Sequence, residues 1–124
     1  MSKEVIVLGA SGHAKVIAEI VSQSGDNLIG FLDDNLDIQG KIIYGDKKVL
    51  GTISEENVNK YANAYFIIGI GSNKVRKTIS EKFSDINWYT AIHPNAIIAS
   101  DVKIDFGSVV MPGVVINPGT VIGK

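Results

Sequence analysis

Cysteine is absent from the 124 residues, which excludes a disulfide framework, a thiolate nucleophile and any cysteine-ligated metal. Long apolar runs are absent too. The longest, around Val5–Leu8 and Tyr65–Ile70, fall far short of the roughly 20 residues a membrane-spanning helix needs. Met1 leads almost directly into Glu4–Leu8 without a cationic stretch or cleavage site, so no signal peptide is read. Neither sign of charge dominates: 12 Lys and Arg against 13 Asp and Glu leave a formal net charge of −1, which removes nucleic acid and membrane as expected partners. There are two histidines, His13 and His93, with no paired His/carboxylate spacing, so no metal site is expected. What remains is an ordinary globular composition, 45% hydrophobic and 20% charged. It suffices for one domain, or a small domain with an appendage. The expected location is the cytoplasm.

From Lys3 to about Trp88, short β-branched runs alternate with amphipathic stretches. Glu4–Leu8 is a compact apolar run closed by Gly9, as a buried parallel strand would be. Ala14, Ile17, Ala18 and Val21 follow at helical spacing, with Gly25 as the stop signal. Asn27–Leu32 reads as a second strand ending at Asp33-Asp34, followed by a loop rich in Gly, Asp and Asn and then Val49-Leu50-Gly51. Ser54 is a good N-cap with Glu55 and Glu56 in the first turn of a short helix. Tyr65–Ile70 is a further strand, and Asn73–Phe83 a helix with Val75, Ile79 and Phe83 on one face. Strands alternating with helices predict a small Rossmann-like α/β domain with a parallel sheet over residues 1–88.

After Trp88 the period changes. Ile92, Ile98, Ile104, Val110, Ile116 and Ile122 recur at a strict spacing of six. Three residues beyond each of the first five stand Asn95, Asp101, Gly107, Gly113 and Gly119, types that tolerate turns. Neither a helix nor a simple strand has a period of six. A hexapeptide repeat predicts a parallel β-helix over residues 89–124, the aliphatic residue pointing inward and the turn residue making the corner.

Gly9 and Gly12 flank Ala10-Ser11 between the first strand and helix. There, backbone N–H groups and a helix N-terminus can hold a phosphate. The spacing is G-x-x-G rather than the dinucleotide fingerprint, and on residues alone a plain strand-to-helix turn reads equally well. Asp33-Asp34 stand where an acidic side chain accepts hydrogen bonds from ribose hydroxyls, or where Asp33-Asp34-Asn35 makes a solvated turn. Gly69, Gly71, Ser72, Asn73, Lys74 and Arg76 surround the carboxyl end of the Tyr65 strand, the side on which open α/β sheets bind ligands. Asn73 reads as the cap of the following helix and Arg76 as a solvent-facing residue.

The segments Val7-Leu-Gly-Ala-Ser-Gly-His-Ala-Lys-Val16, Phe31-Leu-Asp-Asp34, Ile68-Gly-Ile-Gly-Ser-Asn-Lys-Val-Arg76 and Ile92-His-Pro-Asn-Ala96, leading into hexapeptide repeats, resemble the NeuD/PglD-type sugar acyltransferases in order and spacing. The resemblance runs from Val5 to Lys124. It implies an N-terminal domain holding a sugar or nucleotide sugar, a left-handed β-helix assembling as a homotrimer, and acetyl-CoA as co-substrate in surface glycan biosynthesis. The acceptor would be sialic acid or a UDP-amino-sugar-type substrate. Carried over residue by residue, it implies substrate contacts at Gly9, Ser11, Gly12, His13, Asp33, Asp34, Gly71 and Lys74. Ser11, Gly12 and His13 would line the phosphate and sugar side, and the acidic pair the nucleoside. The family's catalytic histidine belongs to a later coil, so no catalytic residue is assigned: His13 is read as a substrate contact and His93 as structural. The 124 residues are then expected to be a truncated form, inactive alone and only weakly associated. Two other functions compete: a non-catalytic nucleotide-sugar-binding or trimerisation module, and an NAD-binding Rossmann protein.

Overall fold

The computed structural model describes residues 2–83 and 85–89, together with six two-residue strands between 91 and 122. The first part comprises β1 (Glu4–Leu8), α1 (Gly12–Gln23), β2 (Asn27–Leu32), a 3-10 turn (Leu36–Ile38), β3 (Ile42–Tyr44), β4 (Lys47–Gly51), α2 (Glu55–Lys60), β5 (Tyr65–Ile68), α3 (Asn73–Lys82) and β6 (Asn87–Trp88). The strands form one sheet in the order β3-β4-β2-β1-β5-β6. Every neighbouring pair is parallel except β3 with β4. The α/β Rossmann-like sheet expected from the alternation is therefore present.

Alternation along β1 sorts the core into two layers, because successive side chains point to opposite faces. Val5 and Val7 pack with Ala14, Ile17, Ala18 and Val21 of α1. Ile6 and Leu8 pack on the other face with Val58 of α2 and with Ile79 and Phe83 at α3. Both faces of β1 are thus covered, and Val5–Leu8 is fully buried, which is why the strand reads as a continuous apolar run. Gly25, at φ 83°, follows the C-cap Ser24, taking the left-handed position that ends many helices.

Two expectations change. The stretch read as a loop before Val49 contains a hairpin, β3–β4, turned by Gly45-Asp46 with Gly45 at φ 59°. A Gly-Asp pair between short apolar runs is itself a hairpin signal, so this element has a local signal in the sequence. Val75, which shares one face of the helix with Ile79 and Phe83, is 41% exposed, while those two are buried. Ile79 and Phe83 belong to the core layer on that face of the sheet, and Val75 does not.

Beyond the sheet, β7 (Ala91–Ile92), β8 (Ile97–Ile98) and β9 (Lys103–Ile104) pair in parallel with β10 (Val109–Val110), β11 (Val115–Ile116) and β12 (Val121–Ile122), respectively. Each partner lies three hexads further along the chain. The turn positions Asn95, Asp101, Gly107, Gly113 and Gly119, and His93, lie outside the described residues. Among the described residues no helix is long and apolar enough to cross a membrane.

Candidate functional site

The chain leaves β1 through Gly9, whose φ of 112° is accessible to glycine and rarely to other residues. A Cβ there would stand 2.7 Å from Ile70 Cγ1 and 3.2 Å from the Gly69 carbonyl oxygen. Gly9 is thus demanded by backbone and packing alike. Its N–H donates to the Leu32 carbonyl at 2.6 Å, and the next amide, Ala10, donates to Asp33 Oδ2 at 2.9 Å. Ser11 then occupies the N-cap of α1 in an extended conformation, with no side-chain capping bond. Gly12 opens the helix, and a Cβ added to it would meet nothing within 4 Å. His13 is half-buried and Ser11 exposed.

The two aspartates after β2 have different surroundings. Asp33 donates its N–H to the Gly51 carbonyl at 2.9 Å. Its carboxylate accepts from Ala10 N and, at 2.8 Å, from Asn35 N, and its carbonyl accepts from Gln39 Nε2 at 2.7 Å. Asn35 in turn accepts from Asp37 N at 3.0 Å, so the turn chemistry read from Asp33-Asp34-Asn35 is realised. Asp34 is exposed; its Oδ1 accepts from Ile53 N at 2.9 Å, and its other oxygen bonds to none of the described residues.

A cavity of about 620 Å³ opens at the carboxyl ends of β2 and β5. Asp33, Asp34 and Ile53 line one side, Ile70 another, and α3 supplies Lys74, Val75, Thr78, Ile79 and Lys82, with Phe83 beyond. The cavity unites three of the residues singled out in the sequence: Asp33, Asp34 and Lys74. Gly9 packs closely against the lining residue Ile70, whereas Gly9 itself, Ser11, Gly12, His13 and Gly71 are not among the lining. Gly71 is exposed, and a Cβ there would meet nothing within 4 Å.

Sequence reasoning missed the apolar wall and Lys82. Val75, Ile79 and Phe83 read only as one helix face, and Lys82 carries no motif. The spacing Lys74-Thr78-Lys82, four residues at each step, was the available signal, since such residues share a helix face. The capping residue of α3 is Ser72, whose hydroxyl accepts from Val75 N at 3.4 Å; Asn73 is the first helical residue instead. Among the described residues no group of three or more His, Asp or Glu side chains converges.

Comparison with known proteins places this geometry. The PglD N-terminal domain matches residues 4–83. The UDP-N-acetylbacillosamine N-acetyltransferase of Bacillus subtilis (strain 168) is 32% identical over 115 residues, covering 88% of this chain and 51% of that protein. The GDP-perosamine N-acetyltransferase of Escherichia coli O157:H7 is 28% identical over 126 residues, covering 95% of this chain and 55% of that protein. The chain thus spans about half the length of the curated relatives it matches. Among solved structures, a mutant perosamine N-acetyltransferase from Caulobacter crescentus in complex with CoA and GDP-perosamine superimposes with a TM-score of 0.85 at 27% identity. It covers 98% of this chain and 57% of that one. The acetyltransferase domain of PglB from Neisseria gonorrhoeae FA1090, in complex with acetyl coenzyme A, gives a TM-score of 0.85 at 31% identity, covering 98% and 59%. With the family match spanning β1 to the end of α3, and relatives aligned along almost the whole chain, this protein belongs to the PglD N-terminal domain family.

Proposed function

We propose that these residues form the nucleotide-sugar-binding part of an acetyl-CoA-dependent amino-sugar N-acetyltransferase. The observation that carries the reading is the cavity beside Asp34 and Lys74 at the carboxyl ends of the parallel strands, the place where α/β sheets take ligands. Its wall of Ile53, Ile70, Val75 and Ile79 suits an apolar base face. Asp34 offers an acceptor to ribose hydroxyls or base N–H groups, and Lys74 a cation to phosphate. The Ser11–His13 turn, with an uncapped helix start and a Gly12 that the fold itself does not require, suits the phosphate and sugar side, and the exposed Gly71 is assigned to the same substrate. Because the matched relatives are named for amino-sugar N-acetyltransferases, nitrogen rather than a sialic acid oxygen is the favoured acceptor.

Residues 89–124 are assigned to a left-handed β-helix, in line with strand partners three hexads apart, and the assembly to a cytoplasmic homotrimer. Acetyl-CoA is the co-substrate: the sugar amine attacks the thioester carbonyl, a base takes the amine proton, and CoA thiol leaves. This portion is assigned substrate binding without turnover, because the resemblance puts the family's catalytic histidine in a later coil.

Calorimetric titration with GDP and UDP amino sugars, with the free sugars and with NADH tests the reading, alongside a thiol-release assay with acetyl-CoA. The expected result is heat with one nucleotide sugar, little with its free sugar, none with NADH, and no thiol release above buffer. Tight NADH binding would replace the proposal with a dinucleotide site, and binding of no nucleotide would remove it.

A further inference from the structure

We infer that Asp33 is a positioning residue: its carboxylate holds the Gly9–Ala10 turn so that the start of α1 faces the ligand, while Asp34 alone of the pair touches the nucleoside. The inference rests on the nucleotide-site reading and divides a pair of adjacent acids that the sequence treats as one unit.

Every polar group of Asp33 already has a partner within the chain. Its N–H and carbonyl are held by Gly51 and Gln39, and its two carboxylate oxygens by the Ala10 and Asn35 amides. Such bonds to an ionised acceptor are the strong ones. Two consecutive amides, Gly9 to the Leu32 carbonyl and Ala10 to Asp33 Oδ2, lace the turn to the end of β2. The positive φ of Gly9 aims the chain back toward that carboxylate, and the segment from Ser11 onward is left facing outward. The Ala10 amide is consequently not offered to a phosphate. An anion approaching it would also meet the Asp33 charge. The donors left for a phosphate are those at the start of α1, one residue further on, where Ser11 makes no side-chain cap. Asp34, by contrast, is exposed and has one oxygen bonded to none of the described residues.

Asp33→Asn removes this arrangement at constant size, because one carboxamide oxygen serves at most one of the two amides and the NH₂ group opposes the other. The probes are guanosine, uridine, GDP and UDP, titrated calorimetrically against the chain and against Asp33→Asn, with the Ala10 amide followed by NMR. The base that binds defines the pair compared. The expected result is a loss of about tenfold in diphosphate affinity, equivalent to one charged hydrogen bond's worth of geometry. Nucleoside affinity should change less than about twofold, and the Ala10 proton should move upfield. Equal losses for nucleoside and diphosphate would make Asp33 a direct nucleoside ligand and overturn the inference alone. Unchanged affinity for both would overturn it as well. Binding of none of the four probes by the unsubstituted chain would remove the nucleotide site and this inference together. Should Asp33→Asn fail to fold, the unsubstituted chain still decides. An Ala10 amide that shifts on nucleoside addition as strongly as on diphosphate addition contradicts the division of roles. A diphosphate response at the Gly12 and His13 amides, with the Ala10 amide left in place, supports it.

Discussion

The Tyr89 hydroxyl donates to Asp26 Oδ2 at 2.5 Å, joining residues 63 apart in the chain. Asp26 Oδ1 meanwhile accepts from Lys3 N at 2.9 Å. Tyr89 is buried in the α1 layer of the core, and its own N–H donates to the Phe66 carbonyl at 2.8 Å. One aspartate therefore ties together the start of β1, the turn before β2 and the residue that follows the last strand of the sheet.

Removing that hydroxyl should be costly. Tyr89→Phe is expected to lower stability by about 1.5–3 kcal/mol, the range for a hydrogen bond to a charged group. Chemical denaturation with an unchanged m-value would register it. A change within about 0.5 kcal/mol would mean the tie contributes little.

The same pair predicts a pH dependence. Burial first, then the hydrogen bond and the negative charge of Asp26, hold the Tyr89 pKa well above the ordinary tyrosine value, with Ser24 acting in the opposite direction. A group with a raised folded-state pKa contributes stability that is fully present below its unfolded value, about 10 for tyrosine. That contribution is lost as pH rises from there toward the folded value. Thermal melts should therefore fall above about pH 10, and Tyr89→Phe should flatten that part of the decline. Identical slopes for the two proteins would show that other groups cause it.

Gly9 and Gly12 should respond in opposite ways to alanine. Gly9→Ala adds a methyl against Ile70 and the Gly69 carbonyl at a positive φ, for a loss of about 1–3 kcal/mol. Gly12→Ala adds one into open space and should leave stability level, or raise it by about 0.5 kcal/mol. Any loss of ligand affinity in Gly12→Ala would then report a backbone approached closely by the ligand. Equal melting temperatures for the two variants would refute the distinction.

Asp34→Ala should weaken binding of a nucleotide sugar by about 1–3 kcal/mol, the cost of leaving a polar partner unpaired. Calorimetry showing unchanged affinity would remove Asp34 from the site.

Ser72→Ala should destabilise α3 by about 1 kcal/mol, and Ser72→Asp should retain most of the cap. Because α3 lines the cavity, nucleotide affinity should follow stability across the two variants. Loss of stability with Asp as large as with Ala would show that the hydroxyl does not act as a cap.

The sequence determined what depends on neighbours along the chain. The buried run of β1, the helical stripe of α1, the Ser54 cap and the hexad period are local patterns set by side-chain periodicity and backbone sterics. They placed β1, β2, α1 and α2 where the structure has them. The family resemblance was legible for the same reason, being carried by short contiguous motifs. The tertiary structure decided which partner each residue meets. Asp33 and Asp34 are chemically identical neighbours, and only the end of β2 lying beside Ala10 while Asp34 turns toward Ile53 separates them. Val75 and Ile79 share a stripe, yet the first is exposed and the second is buried in the core layer that packs on Ile6 and Leu8. Nothing near Tyr89 in the chain announces Asp26, because periodicity encodes which face a residue occupies, while the partner on that face is chosen by the packing of the whole sheet.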